Sequence, residues 1–253
     1  MDKPPKAFED SEFLQSPEGR SVRILSEYEK VKSMFEFHQI MDTITFFGST
    51  RFKSKDDNHS SNEIDIENSE YYEQARSLAF KFTTWAKEFS KNHHRFVIAT
   101  GGGPGIMEAA NKGAYEINPQ KSFGLGIELP FEASMNEYVK TGLTCRYFFT
   151  RKVSFLKYSQ GFIVFPGGVG TLDELFEAIT LAQTGHAPKF PIILVGSDYW
   201  MPLIEWLKNT VCLEGKMSEK DFDLFRIVNS GQEAVEKIIE YTDKYRKEST
   251  TNF

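Results

Sequence analysis

The stretch Phe162-Ile163-Val164-Phe165-Pro166-Gly167-Gly168-Val169-Gly170-Thr171-Leu172-Asp173-Glu174 constrains this chain more than any other. Four consecutive apolar residues read as a short buried strand. A proline and three glycines then make a tight turn, and Leu172, Leu175, Phe176 and Ile179 follow at helical spacing. The order is strand, glycine turn, helix. Such a turn presents backbone N–H groups and the positive end of a helix to an anion, so a phosphate is its natural guest. Glu174 adds a carboxylate in the expected first turn of that helix, which points to chemistry beside the phosphate as well as binding of it.

The rest of the chain repeats this alternation. Residues 1–20 are polar and rich in Pro, Glu and Ser, and read as a flexible arm ahead of a single domain at 21–247. Val22, Leu25, Tyr28, Val31 and Phe35 predict an N-terminal helix to about residue 39, packed on the sheet or on a partner subunit. Strands are expected at 43–47, 95–99, within 123–129, at 162–165, 191–195 and 225–228. Helices are expected at 69–90, 106–116, 151–159, from the glycine turn to about 184, at 199–209 and 218–224, and from Ser230 onward. Residues 52–68 read as a polar loop. The stretch 130–160 gives no regular pattern before its helix. Strands alternating with helices imply an α/β fold: a Rossmann-like open parallel sheet, helices on both faces, with one extra N-terminal helix.

Ligands of such sheets sit beyond the carboxyl ends of the strands. Three strands here end in glycine or hydroxyl residues: Gly48-Ser49-Thr50, Gly101-Gly102-Gly103 and the turn at 167–171. Together they are expected to line one pocket. There is no Gly-x-x-x-x-Gly-Lys-Ser/Thr and no Gly-x-Gly-x-x-Gly after a strand, so a mononucleotide with one phosphate fits better than ATP in a P-loop or a dinucleotide.

Composition narrows the partners. Net charge is −6 with no basic block, which argues against nucleic acid. Cys145 and Cys212 show neither metal spacing nor a disulfide framework. His93 and His94 lie in a polar loop with no ligand partner, and no metal site is expected. No apolar run is long enough to cross a bilayer, and residues 1–5 lack the apolar core of a signal peptide, so a cytoplasmic protein is expected.

Plainer readings stand beside the functional ones. Thr171-x-x-Glu174 ahead of an apolar run is the pattern of a capping box. Gly101 to Gly103 also suit a tight connection, with Pro104 opening the next helix. Arg151-Lys152 is also an ordinary solvated pair, although cations at a helix start oppose the helix dipole. Tyr147, Phe148 and Phe149 read as core. No lysine sits in a Schiff-base context.

The segment 166–174 with Arg151-Lys152 upstream resembles the signature of the LOG ("Lonely guy") family, the cytokinin riboside 5′-monophosphate phosphoribohydrolases. The segment 100–111, Arg146-Tyr147-Phe148-Phe149 and Phe190-Pro191 resemble its bacterial members. The resemblance, from about residue 20 to 240, implies hydrolysis of the N-glycosidic bond of a purine nucleoside 5′-monophosphate to free base and ribose 5-phosphate. AMP, a universal metabolite, is the leading expected substrate and an N6-modified (prenylated) AMP the main alternative, with pyrimidine and guanine nucleotides left open. It implies Arg151 and Glu174 as catalytic. It gives substrate contacts to Gly167, Gly168, Gly170, Thr171 and Thr180, to which the strand-end reading adds Gly48, Ser49, Gly102 and Gly103, and the misplaced basic pair at a helix start adds Lys152. It leaves Glu128 and Glu132 competing for one further acidic position. It implies a homodimer, no cofactor and no metal. Glu174 would act on an oxocarbenium-like transition state by stabilising the cation, holding the ribose hydroxyls or polarising water. The alternative is a non-catalytic carrier of the molybdenum-cofactor-carrier type, which needs the glycine turns but not the Arg151–Glu174 pair. "Lysine decarboxylase", a label common among relatives, requires pyridoxal phosphate, for which the residues offer no support.

Overall fold

A computed structural model describes residues 6–90, 94–129, 134–187 and 190–245, with side chains to 242. It contains helices α1 (Ser11–Gln15) and α2 (Arg20–Phe37), then β1 (Thr43–Phe47), α3 (Glu63–Phe89), β2 (Val97–Thr100) and α4 (Ile106–Ile117). These are followed by β3 (Ser122–Ile127), β4 (Thr141–Cys145), α5 (Phe148–Tyr158), β5 (Ser159–Val164) and α6 (Val169–Gln183). The order closes with β6 (Ile192–Val195), α7 (Ser197–Trp206), β7 (Phe225–Val228) and α8 (Gly231–Tyr245).

The seven strands form one sheet in the order β4-β3-β2-β1-β5-β6-β7, and every pairing is parallel. Neighbouring residues along each central strand face opposite layers. Ile44 and Phe46 of β1, Ile98 of β2 and Ile163 of β5 join a core under α3, α4 and α8. Phe47, Val97, Ala99, Phe162 and Val164 join a second core with α2, α5, α6 and α7. Burial on both faces is why these strands read as continuous apolar runs. Chain order runs outward from β1 on one side and from β5 on the other. The β1–β5 boundary is therefore the switch point, and the turns after β2, β1 and β5 open side by side at its crevice.

Several boundaries depart from the sequence reading. Helix α3 begins at Glu63 rather than 69, because Asn62 caps it by accepting from Ile64 N, and Glu63 and Asp65 suit its first turn. This takes six residues from the expected loop. The stretch 130–160 holds a seventh strand, β4, whose alternating exposure is that of an edge strand. Helix α5 starts at Phe148, one turn earlier than expected. In the expected arm, Asp10 caps the short α1, and Arg23 of α2 donates to Leu14 O and Ser16 O. Helix α2 packs on the sheet of its own chain through Val31 and Phe35. Residues 1–5, His93, Glu132 and the end of the expected domain at 246–247 lie outside the described residues.

Candidate active site

One cavity of about 1220 Å³ lies over the crevice. All three strand-end turns line it, with Gly48, Ser49, Gly102, Gly103, Gly167, Gly168, Gly170 and Thr171 among the wall residues. The turns are locked to each other by backbone bonds. Ser49 N donates to Pro166 O at 2.9 Å, and Ile106 N donates to Ser49 O at 3.0 Å. Two glycines permit that approach. A Cβ on Gly105, itself at φ +71, would sit 2.3 Å from Ser49 O; one on Gly167 would sit 2.2 Å from Thr171 Oγ1. Gly168 and Gly170 meet nothing within 4 Å, so the start of α6 is open to a guest. The first N–H groups of a helix lack acceptors in a preceding turn; at the start of α6 Thr171 N turns back to Gly168 O at 3.0 Å, while Val169 and Gly170 border the cavity ahead of it.

The capping-box reading of Thr171 and Glu174 is not realised. Gly168 is the cap residue of α6 and no side chain caps it. Thr171 therefore lies within the first turn, and Glu174 in the second rather than the expected first. Both side chains are 7% exposed, and both line the cavity. Arg151 reaches Glu174 from α5, its Nη2 donating to Oε1 at 3.2 Å. Its guanidinium stands 5.3 Å over the Phe148 ring and 5.9 Å over Phe155. Its Nε is buried with no hydrogen-bond partner among the described residues. An arginine held by aromatic faces, with donor capacity to spare beside a cavity, is equipped to take a further acceptor.

Burial pushes the Glu174 carboxyl up to about 6, against the opposing attraction of Arg151 and Lys152. At neutral pH it is mostly an anion, but one poorly solvated and close to titration. That is the state suited to a group that meets developing positive charge or exchanges a proton.

Two expected contacts are not brought to the cavity. Lys152 Nζ turns to the outer side of α6, 2.8 Å from Asp173 Oδ2, 2.7 Å from Glu177 Oε2 and 3.9 Å from Glu174 Oε2. Burial alone would lower its pKa, but these hydrogen bonds and charges outweigh it and hold the ammonium above the ordinary lysine value. Lys152 thus anchors the helix that carries Glu174. Thr180 is exposed on the same outer side and donates to Phe176 O. Of the two competing acids, Glu128 lines the cavity and Glu132 is not described.

The sequence reading missed the far walls. Glu67, Asn68 and Tyr71 come from α3, Asp198 and Tyr199 from α7, and Met107, Met135 and Phe148 from around the 101–103 turn and α5. Tyr199 Oη donates to Gly167 O, fixing the glycine turn from outside. Burial pushes the Tyr71 phenol up to about 12, with Glu67 and Asp198 adding to the effect. Met135 fills the space left by Gly102 and Gly126, and shares with Val139 the space left by Gly124 and Gly142, which explains the glycines that interrupt β3. Asn62 before Glu63 was a legible sign that α3 extends far enough to supply its wall. Nothing in the local pattern marks Tyr199.

A family model described as "Possible lysine decarboxylase" matches residues 107–238, over half of the chain. Cytokinin riboside 5′-monophosphate phosphoribohydrolase LOG1 of Arabidopsis thaliana is 35% identical over 97 residues, covering 38% of this chain and 45% of that protein. The pyrimidine/purine nucleotide 5′-monophosphate nucleosidase of Escherichia coli K12 is 32% identical over 127 residues, covering 45% of this chain and 28% of that protein. The chain thus spans less than half the length of these curated relatives. The solved molybdenum-cofactor carrier protein of Chlamydomonas reinhardtii superposes with a TM-score of 0.50 at 18% identity, over 80% of this chain and 98% of that one. That likeness concerns the Rossmann-like fold alone. The reaction in the family's description would need a lysine to hold pyridoxal phosphate as a Schiff base. No lysine lines the cavity among the described residues, so the site does not fit that cofactor.

Proposed function

Because this chain belongs to the LOG family, we propose that it hydrolyses the N-glycosidic bond of purine nucleoside 5′-monophosphates, releasing the base and ribose 5-phosphate. The observation that carries this reading is the Arg151–Glu174 pair, buried in the wall of the cavity that the phosphate-type glycine turn opens into. The 5′-phosphate sits on the N-terminus of α6, taking the open positions at Gly168 and Gly170. It is the remote anchor that fixes the ribose over the wall behind it. Glu174, one turn further along α6, then lies on the sugar side. Cleaving the C–N bond develops positive charge on C1′ and its ring oxygen, and the Glu174 carboxylate stabilises that charge or draws the proton from the attacking water. Arg151 keeps the carboxylate ionised and in place. AMP is the leading substrate and an N6-modified AMP the next.

The names of the curated relatives support this class of activity, a phosphoribohydrolase in one and a nucleosidase in the other. We further propose a homodimer. The outer side of α6 exposes Val169 and half-buries Leu172 and Phe176, an apolar strip that a second copy would cover. Thr180 lies on that strip and serves a substrate only across such an interface, since it faces away from the cavity of its own chain. The cytosol, where nucleoside monophosphates are available, fits the reading; no described helix is long and apolar enough to cross a membrane.

The test is release of free base from a panel of nucleoside 5′-monophosphates, with matched nucleosides as controls, for the wild type and Glu174→Gln. Release from monophosphates alone, lost in the variant, is expected. Tight nucleotide binding without release from any of them would move the protein to the carrier class.

A further inference from the structure

The pair at the centre of this site is held from an unexpected side. Helix α5 has no side-chain cap of its own: Tyr147 is its cap residue and provides none. Glu27, 119 or more residues earlier in sequence, provides it instead. Its Oε1 accepts from Arg146 N at 2.7 Å, and its Oε2 accepts from Tyr147 N at 3.4 Å and from Thr150 Oγ1 at 2.6 Å. Thr150 Oγ1 also stands 2.7 Å from Tyr147 O, so its proton is shared between the two acceptors. A carboxylate at a helix N-terminus is favoured both by the unpaired N–H groups and by the helix dipole.

The same first turn carries Arg151. Its backbone N–H reaches Tyr147 O at 3.5 Å, a long opening bond for a helix. The connection therefore runs from Glu27 to Tyr147 and Thr150, from Tyr147 to Arg151, and from Arg151 Nη2 to Glu174 Oε1. A second tie lies alongside, with Arg23 Nε donating to Tyr147 Oη at 3.2 Å. At the far end of α5, Lys157 Nζ donates to Tyr28 Oη at 2.7 Å. Helix α2 thus grips α5 at both ends.

We infer that Glu27 is a positioning residue: through the first turn of α5 it sets the distance between Arg151 and Glu174. The inference rests on the hydrolase reading only for its consequence in turnover. The geometry itself can be tested without turnover.

The groups facing the Glu174 carboxyl are Arg151 and Lys152 from α5 and Asp173 and Glu177 from α6; Glu128 shares the cavity wall. The two cations draw its titration down. If Glu27→Ala lets Arg151 drift from Glu174, the carboxyl titrates higher. The direct effect of deleting the Glu27 charge has the opposite sign, because losing a nearby anion makes Glu174 easier to ionise. The direction of the change therefore separates positioning from simple through-space charge.

The experiment is a carbon-detected NMR titration of the Glu174 carboxyl, assigned by its absence in Glu174→Gln, in the wild type, Glu27→Ala and Glu27→Gln. Glu27→Ala is expected to raise the midpoint by about half a pH unit or more, a change of the size one weakened charge contact makes. Glu27→Gln keeps an acceptor for Thr150 and should return the midpoint part of the way. Should Glu27→Ala not fold, Glu27→Gln alone decides, by a rise of its midpoint above wild type. An unchanged or lowered midpoint in the folded variants overturns the proposal. In turnover, kcat should fall roughly tenfold in Glu27→Ala with KM little changed, since the phosphate turn belongs to α6. A wild type that releases no base would end the hydrolase reading and leave the titration result standing by itself.

Discussion

Glu174→Gln should change how stability depends on pH, and the structure sets both sign and size. The Glu174 carboxyl is raised from its ordinary 4.5 to about 6, chiefly by burial. Between those values the folded protein keeps a proton that the unfolded chain has lost. Stability from this group is thus complete below about pH 4.5 and is lost as pH rises through 6. The total is about 2 kcal/mol, at roughly 1.4 kcal/mol per pH unit. The group is 7% exposed, so solvent screening takes little from that figure. Glutamine has no proton to lose. The variant does leave Arg151 without its partner, but that cost is the same at every pH and cancels in the comparison. The unfolding free energy of Glu174→Gln minus that of the wild type should therefore grow by about 2 kcal/mol between pH 4 and pH 7.5. Urea unfolding followed by tryptophan fluorescence reports it, because Trp200 is fully buried. A difference that stays flat, or shrinks as pH rises, would mean that Arg151 and Lys152 stabilise the anion more than burial penalises it. The argument from burial would then be refuted. A rise would identify the carboxylate as a group whose ionisation costs the fold, as expected of a residue retained for chemistry.

Other expectations follow from single residues. Gly167→Ala places a Cβ 2.2 Å from Thr171 Oγ1 and 2.9 Å from Ser49 N; it should cost about 1–3 kcal/mol and weaken nucleotide binding, measured by calorimetry. Gly168→Ala meets no atom and has φ −83°, so its stability should stay within about 0.5 kcal/mol of wild type. Asn111 is fully buried and bonds Thr100, Ser122, Phe123 O and Asn136. Asn111→Ala should lose roughly 2–4 kcal/mol in chemical unfolding. Burial pushes the Cys145 thiol up to about 11, while Cys212 is half-buried; iodoacetamide at pH 8 should add one label to the native protein and two in urea, counted by mass spectrometry.

How much of this was legible in the sequence depends on whether a residue's role is local. Strands β1, β2, β3, β5 and β6 were visible because the sheet buries their residues in unbroken or nearly unbroken runs; β7, at one edge and half exposed, was still visible because three of its four residues, Phe225, Ile227 and Val228, are apolar. Strand β4 was not, because an edge strand has one neighbour and exposes alternate residues, so Thr141-Gly142-Leu143-Thr144-Cys145 carries no run to see. The glycine turns and Glu174 were visible because tight backbone passage leaves a compositional mark. The same logic misjudged Thr171-x-x-Glu174. Spacing alone fits a capping box, and only the placement of Gly168 at the cap turns both side chains toward the cavity. Lys152 looked like a ligand beside Arg151, yet neighbours on a helix point about 100° apart. One reaches the cavity and the other the acids on the outer side of α6. Tyr199 and Glu27 left no mark at all, since each acts on a turn supplied by a distant part of the chain. In this fold the sequence shows where the backbone opens for a ligand. The residues that hold the opening in shape follow from which helices the sheet brings across it, and Glu27 extends that rule to the turn of α5 that carries Arg151.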